Sequence, residues 1–258
     1  MKEKYETNGP VVSVIMPAYN AERTIAAAIR SVQEQNAADW ELLVVDDGSR
    51  DGTCAIVEAI AAEDPRVVFL KNEVNLGVAK TRNRAMELAR GQFVALLDSD
   101  DYWRPGKLEK QIALLEKTGA GLCYTAYAVV GENGECYGDY SVPETTDFSA
   151  MLAENCIGCS TVLMTAELAK AYRFTTEFYH EDYVMWLQML RDGKQAVGAR
   201  EVLVDYTYRP DSRAGNKLAS AKYRWRIYRD YLKLPWGKSV CYLTRYALAG
   251  LKKYRRKG

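Results

Sequence analysis

Apolar residues along this chain recur in two alternating periods. Short runs without a polar break, or nearly so, occur at Val11–Met16 (VVSVIM), Glu41–Val45 (ELLVV), Val67–Leu70 and Phe93–Leu97 (FVALL). Their length and continuity are those of strands buried on both faces. Between them the spacing lengthens to helical: Ile25, Ile29 and Val32; Ile56, Val57 and Ile60; Thr81 to Arg90, closed by Gly91; then Leu108, Ile112 and Leu115 on Lys107–Lys117, with charges outward. Strand followed by helix, repeated, predicts a parallel sheet with right-handed crossovers. Pro17 and the turn-prone Ala18-Tyr19-Asn20 are expected to stop the first strand.

Beyond Gly119 the pattern changes. Gly121 to Val130 and Val202 to Tyr208 read as strands, with turns at Glu132-Asn133-Gly134 and Gly138-Asp139, so the sheet is expected to become mixed. A helix through HEDYVMWLQMLRDG, closed by Gly193, is the remaining landmark. No internal repeat or low-complexity tract interrupts the chain.

A length of 258 residues suits one large α/β domain with an appendage. Charge divides it. From Asn216 onward there are 13 Lys/Arg against one acid, Asp230, whereas the first 215 residues carry 22 against 33. The division predicts an acidic body over 1–215 and a basic, aromatic-rich helical extension over 216–258. Tyr223, Trp225, Tyr228, Tyr231, Trp236, Tyr242, Tyr246 and Tyr254 are interleaved with those cations, the composition of helices that lie in an anionic membrane interface. That partner is expected in preference to nucleic acid; the other reading is a helical pair packed on the body with a solvated basic face.

The six cysteines include Cys156-x-x-Cys159, but no second pair or nearby His completes a zinc site, so reduced thiols are expected. The N-terminal MKEKYETNGP lacks an apolar signal core, and no run of ~18 apolar residues spans a bilayer. The expected location is the cytoplasm, at the inner face of the cell membrane.

Candidate chemistry sits where two strands end. FVALL runs into Asp98, Asp100 and Asp101, and ELLVV into Asp46-Asp47-Gly48-Ser49. Parallel strands bring these ends to one edge, where open α/β sheets bind ligands. Carboxylates on such a turn suit a hard divalent cation, Mg²⁺ or Mn²⁺, that completes its shell with water and substrate phosphates. Each cluster taken alone also reads as a turn that caps a helix.

VSVIMPAYN, ELLVVDDGSRD, NLGVAKTRN, VALLDSDDYW and HEDYVMW, in that order, resemble glycosyltransferase family 2, whose members have the GT-A fold: a Rossmann-like, mixed, mostly parallel sheet flanked by helices. The likeness runs from about Val12 to Arg209. With Gly158-Cys159-Ser160-Thr161 and the basic C-terminus, it is similar to bacterial transferases of the teichuronic-acid type that build cell-surface polysaccharides. The resemblance implies an inverting transfer from a nucleotide-diphospho-sugar, a UDP sugar being expected, to a lipid-linked glycan.

It assigns Pro17, Tyr19, Asp47, Arg82, Asp98 and Asp100 to the donor pocket. Tyr19 is expected against the base, Asp47 on its pairing edge, Asp98 on the ribose side and Asp100 on the metal. Asp182 matches the general base that deprotonates the acceptor hydroxyl, with Glu181 and Trp186 on the acceptor side. For Tyr19 and Arg82 the alternatives are packing and a surface ion pair; for Trp186, a core position; for Asp182, a charge on the first turn of its helix. His180 matches the late metal-binding His of some members poorly. The Gln-x-x-Arg-Trp sequence of processive synthases is absent, which points to single addition. The stretch YRPDSRAGNK is expected to act as a lid over the diphosphate. Two rivals stay open: transfer to polyprenyl phosphate itself, which needs no base, and a catalytically silent sugar-nucleotide sensor or membrane adaptor.

Overall fold

The computed structural model describes residues 9–36, 39–208 and 217–255. The polar leader and the interior of the expected lid, 209–216, lie outside them.

The first half alternates as its apolar spacing predicts: β1 Val12–Ala18, α1 Ile25–Gln33, β2 Trp40–Asp46, α2 Thr53–Glu63, β3 Val67–Lys71, α3 Val78–Leu88, β4 Phe93–Leu96. Then come β5 Tyr102–Trp103, α4 Lys107–Thr118, β6 Leu122–Gly131, β7 Cys136–Tyr140, β8 Thr145–Thr146, α5 Phe148–Ala153, a single turn at Cys159–Thr161, β9 Leu163–Thr165, α6 Ala166–Ala171, α7 Glu181–Arg191 and β10 Ala196–Tyr208. Helix α8, Lys217–Arg226, runs through a wider turn at Ile227–Tyr231 to α9, Trp236–Arg255.

The strands form one sheet in the order β3-β2-β1-β4-β9-β6-β10-β5, with β7 on β6 and β8 on β10. Pairs β2–β3, β1–β2, β1–β4 and β6–β10 are parallel, while β9 is antiparallel to both β4 and β6. Two antiparallel steps restore direction, so β1, β2, β4, β6 and β10 all end on the same edge.

All seven residues of β1 are buried, and they serve two cores. Val14 and Met16 point with Leu42 and Val44 to the side covered by α1, α2 and α4. Ile15, Leu43 and Leu96 point to the side covered by α3, α5, α6 and α7. Strands covered twice have no polar face, which is why their sequences run apolar.

Several expectations are corrected in detail. Pro17 does not stop β1: the strand continues to Ala18 beside β2, whereas the β4 register ends at Ile15↔Leu96. Leu97 donates to Ile15 O at 3.0 Å, and the next donor of that ladder would be residue 17, which as proline has none. Gly91 does not cap α3, which ends at Leu88. It is glycine because a Cβ there would lie 2.5 Å from Ser13 N, in the backbone of β1. Lys107 is buried, not solvated: its ammonium bonds Gln111 Oε1 at 2.7 Å and lies 4.0 Å from the Trp103 ring centroid.

The C-terminal segment joins the body's core. Ile227 and Tyr228 are fully buried in the same cluster as Trp186. Buried Arg224 lies 4.2 Å over the Tyr183 ring and 4.1 Å over that of Tyr246. Much of the tail's aromatic surface is therefore occupied internally: Tyr223 stacks on Tyr179 at 4.3 Å, and Tyr242 packs against the core.

Candidate active site

The acids after β4 are not helix caps. The residue before α4 is Gly106, in the left-handed region at φ 78°, and no side chain caps that helix. The loop is instead held from across the sheet by Ser160. Its Oγ donates to Asp101 Oδ2 at 2.5 Å and accepts from the Asp98 N–H at 3.0 Å, while its carbonyl accepts from Trp103 Nε1 at 2.8 Å. The Thr207 N–H donates to Asp101 Oδ1 at 2.9 Å. Burial raises the Asp101 carboxyl well above the usual range, and the charges of Asp100 and Asp98 push the same way. Asp101 is thus the internal anchor of the loop, at 1% exposure, while Asp98 and Asp100 remain partly exposed.

Arg82, on α3, ties this loop to α7. Its Nη2 bonds Asp98 Oδ1 at 2.5 Å and its Nη1 bonds Glu181 Oε1 at 2.8 Å. With Phe174 beneath it, the guanidinium is buried, not part of a surface pair. Glu181 is buried with it, so its carboxylate is taken up by this bridge and is not on the acceptor side as expected. The neighbouring Asp182 is partly exposed on the first helical turn, with Oδ1 accepting from the Tyr183 N–H at 2.7 Å. Burial raises its carboxyl, and nearby Asp98 adds to the rise; Arg82 and the Tyr183 N–H oppose it. A raised carboxylate is a stronger base at neutral pH.

At the β1/β2 end, Tyr19 is 49% exposed just past β1, with its ring available to a planar group. Asp47 is buried: Oδ1 accepts from Asn72 Nδ2 and the Leu76 N–H, both at 2.8 Å, and Oδ2 accepts from the Gly77 N–H at 2.9 Å. It therefore shapes the 72–77 loop, whose Gly77 sits at φ 84°. Asp46 closes its own turn by accepting from the N–H groups of Gly48 and Ser49 at 3.0 Å each.

Two expected contacts are corrected. Trp186 is at 0% exposure, edge-on to Phe174 at 6.3 Å, so it cannot stack on an acceptor sugar. Pro17 is buried inside the sheet beside Val45 of β2, so its ring does not line an open donor pocket. His180 lies before α7, edge-on to Tyr179 and Tyr223. All six cysteines are free thiols, as expected; Cys159 neighbours Arg82, Asp98 and Asp182. Sequence reasoning also missed the anchoring by Ser160 and Asp101.

The residues fit a hard divalent ion. Asp98 and Glu181 bond the one buried guanidinium and Asp182 lies near it, while Asp100, on the same loop as Asp98, is partly exposed, so carboxylates outnumber the cation at this edge. Among the described residues no group of three or more His, Cys, Asp or Glu is placed to cage a metal. An ion here would take few protein ligands, Asp100 first, and the rest from water and phosphate, as Mg²⁺ and Mn²⁺ do.

Residues 13–175 match the family model for glycosyl transferase family 2. The chain is 37% identical over 246 residues, 95% of each chain, to the UDP-Glc:alpha-D-GlcNAc-diphosphoundecaprenol beta-1,3-glucosyltransferase WfgD of Escherichia coli. It is 34% identical over 245 residues, 95% of this chain and 97% of the relative, to the putative teichuronic acid biosynthesis glycosyltransferase TuaG of Bacillus subtilis. In structure it resembles S. aureus TarS 1–349 in complex with UDP-GlcNAc, with a TM-score of 0.70 and 23% identity over 92% of this chain and 71% of that one. It also resembles the Pyrobaculum calidifontis mannosyltransferase PcManGT in complex with GDP-Man and Mn2+, with a TM-score of 0.70 and 20% identity over 98% and 77%.

Proposed function

The chain belongs to glycosyl transferase family 2 and has the GT-A fold, and from that premise we propose an inverting, metal-dependent enzyme that moves one sugar from a UDP-hexose to a hydroxyl of a lipid-linked glycan. The WfgD relative supports UDP-glucose as the first donor to try and a GlcNAc-diphospho-lipid as the first acceptor. The observation that carries the reading is the buried Arg82 bridge, because it fixes the donor-side Asp98 relative to Glu181 and hence to Asp182.

In this reading Tyr19 covers the base and Asp98 accepts from the ribose. Asp100 would hold Mn²⁺ or Mg²⁺, which would supply positive charge for the diphosphate as it leaves. Asp182 accepts the proton of the acceptor hydroxyl as that oxygen attacks the anomeric carbon from the face opposite the diphosphate, which inverts the centre. Holding donor and base on one rigid bridge contributes by orientation, apart from any acid–base effect.

The lipid-linked acceptor places the reaction at a membrane surface, and we assign α9 to that contact on the cytoplasmic side. Trp236, Val240 and Leu248 are 66%, 37% and 55% exposed on the outward side of α9, whose far flank carries exposed Lys238 and Arg245. Such a stripe suits an interfacial helix. Among the described residues no helix is long and apolar enough to cross a membrane.

The test is a panel of nucleotide sugars incubated with Mn²⁺, Mg²⁺ or EDTA, followed by UDP release with and without a GlcNAc-diphospho-lipid. The reading requires one UDP-hexose to be consumed with metal and spared with EDTA, and consumption to rise with acceptor. Metal-independent consumption, or none from any UDP sugar, contradicts it.

A further inference from the structure

With Trp186 in the core, the acceptor's sugar needs another aromatic surface, and the far end of the same sheet edge supplies one. Tyr127 of β6 lies opposite Tyr140 of β7, their rings stacked at 4.9 Å, and Tyr206 of β10 sits 5.7 Å from Tyr127. Farther out, Tyr137 and Tyr208 meet edge to face at 6.0 Å, and both are exposed. The row begins at the acid loop. Tyr206 feels the charges of Asp101, Asp98 and Asp100, and its neighbour Thr207 bonds Asp101.

We propose that this tyrosine row is the acceptor subsite, binding pyranose rings of the lipid-linked glycan; the proposal rests on the glycosyltransferase reading above. Position selects the occupant. Tyr19 and Asp47 lie at the ends of β1 and β2, the acids follow β4, and the row lies beyond them on β6 and β10. A donor whose base rests on Tyr19 and whose diphosphate meets Asp100 therefore presents its sugar toward the row. Two inter-strand spacings separate β4 from β6, about 10 Å, which accommodates the transferred sugar and then the attacking ring.

The chemistry agrees. Flat, half-exposed rings cover the apolar face of a pyranose, while their hydroxyls and adjacent acids meet its rim. Tyr140 donates to Glu154 at 2.8 Å and Tyr137 to Glu135 at 2.7 Å, so carboxylates able to accept sugar hydroxyls border the rings. Nucleobase stacking is served at the opposite end, and the lipid tail requires none of these polar atoms.

The experiment compares wild type with the Tyr137→Ala/Tyr208→Ala and Tyr137→Phe/Tyr208→Phe pairs, all at exposed positions. Kinetics use UDP-glucose with a short-chain GlcNAc-diphospho-lipid. Saturation-transfer NMR follows the ring protons of that same acceptor, with UDP and diamagnetic Mg²⁺ present. The Ala pair is expected to raise acceptor KM roughly tenfold and to leave donor KM within about twofold. It should also remove saturation of the sugar ring, and the Phe pair should restore both. Saturation equal in wild type and the Ala pair, no ring saturation in wild type, or an equal rise of donor and acceptor KM overturns the proposal. Ring saturation lost in the Ala pair, from a protein that transfers nothing, would uphold the subsite and overturn the enzymatic reading alone.

Discussion

Ser160→Ala removes one hydroxyl and disturbs both anchors of the loop proposed to hold the metal. The Asp98 N–H loses its acceptor, at 3.0 Å, and Asp101 Oδ2 loses its donor, at 2.5 Å, in a region where Ser160 and Asp101 are 2% and 1% exposed. An unsatisfied buried group costs ~1–3 kcal/mol, so loss of both bonds is expected to lower stability by about 2–6 kcal/mol. Asp101, left with the Thr207 N–H, is pushed still further toward its neutral form. Asp100 lies between the two released anchors, and loss of such outer support typically weakens a metal site about 10–100-fold. Urea unfolding with a Mn²⁺ titration of UDP-sugar consumption reads both effects: the midpoint should fall, half-activation should move to higher Mn²⁺, and kcat at saturating Mn²⁺ should largely recover. Unchanged stability and unchanged half-activation would refute this account of the loop.

Asp100→Ala is expected to abolish transfer with the thermal midpoint within about 2 °C of wild type, since the residue is partly exposed; turnover by this variant in EDTA would contradict the metal assignment. Burial pushes the Lys107 ammonium down to about 7, below its value of ~10.4 in the unfolded chain. Between those values the unfolded chain holds the extra proton, so wild-type stability rises with pH by at most ~1.4 kcal/mol per unit, less whatever the Trp103 ring returns to the charged form. Lys107→Met should therefore be more stable than wild type at pH 7 and lose that advantage toward pH 10; a pH-independent difference in urea unfolding would contradict this. Trp236→Glu with Val240→Glu should reduce flotation with anionic vesicles without changing hydrolysis of the donor; equal flotation would remove α9 from the membrane contact.

Elements read well from sequence where burial alone sets the pattern. β1, β2 and β4 are covered on both sides, so continuous apolar runs locate them, and the ends that carry Asp46, Asp47 and Asp98 follow. β10 was legible only from Val202 because the exposed Arg200-Glu201 interrupts it, at a bulge where the register with β6 shifts between Ala199 and Val202. β5, β8 and β9 hold two or three residues each, too few for any period to show. Trp186 misled because a helical spacing of four places it on the same face as Asp182 but one turn deeper. The body of α7 from Tyr183 to Leu187 is buried all round, so only its first turn reaches the site. Ser160 gave no signal of its own, since a hydroxyl in a turn acquires its role from Asp98 and Asp101, some 60 residues earlier.

Asp182→Asn is the decisive variant for the proposed base, assayed for transfer from UDP-glucose to the hydroxyl of a GlcNAc-diphospho-lipid at saturating Mn²⁺. The substitution keeps the size of the side chain and the acceptor for the Tyr183 N–H at 2.7 Å, but removes the basic site. Donor KM is expected to stay within about threefold while kcat falls at least about a hundredfold. The wild-type pH profile should show its acidic limb above the ordinary carboxylate range, because burial raises Asp182. Near-normal transfer by Asp182→Asn to that neutral hydroxyl would contradict the account and favour an acceptor that is already an anion, polyprenyl phosphate.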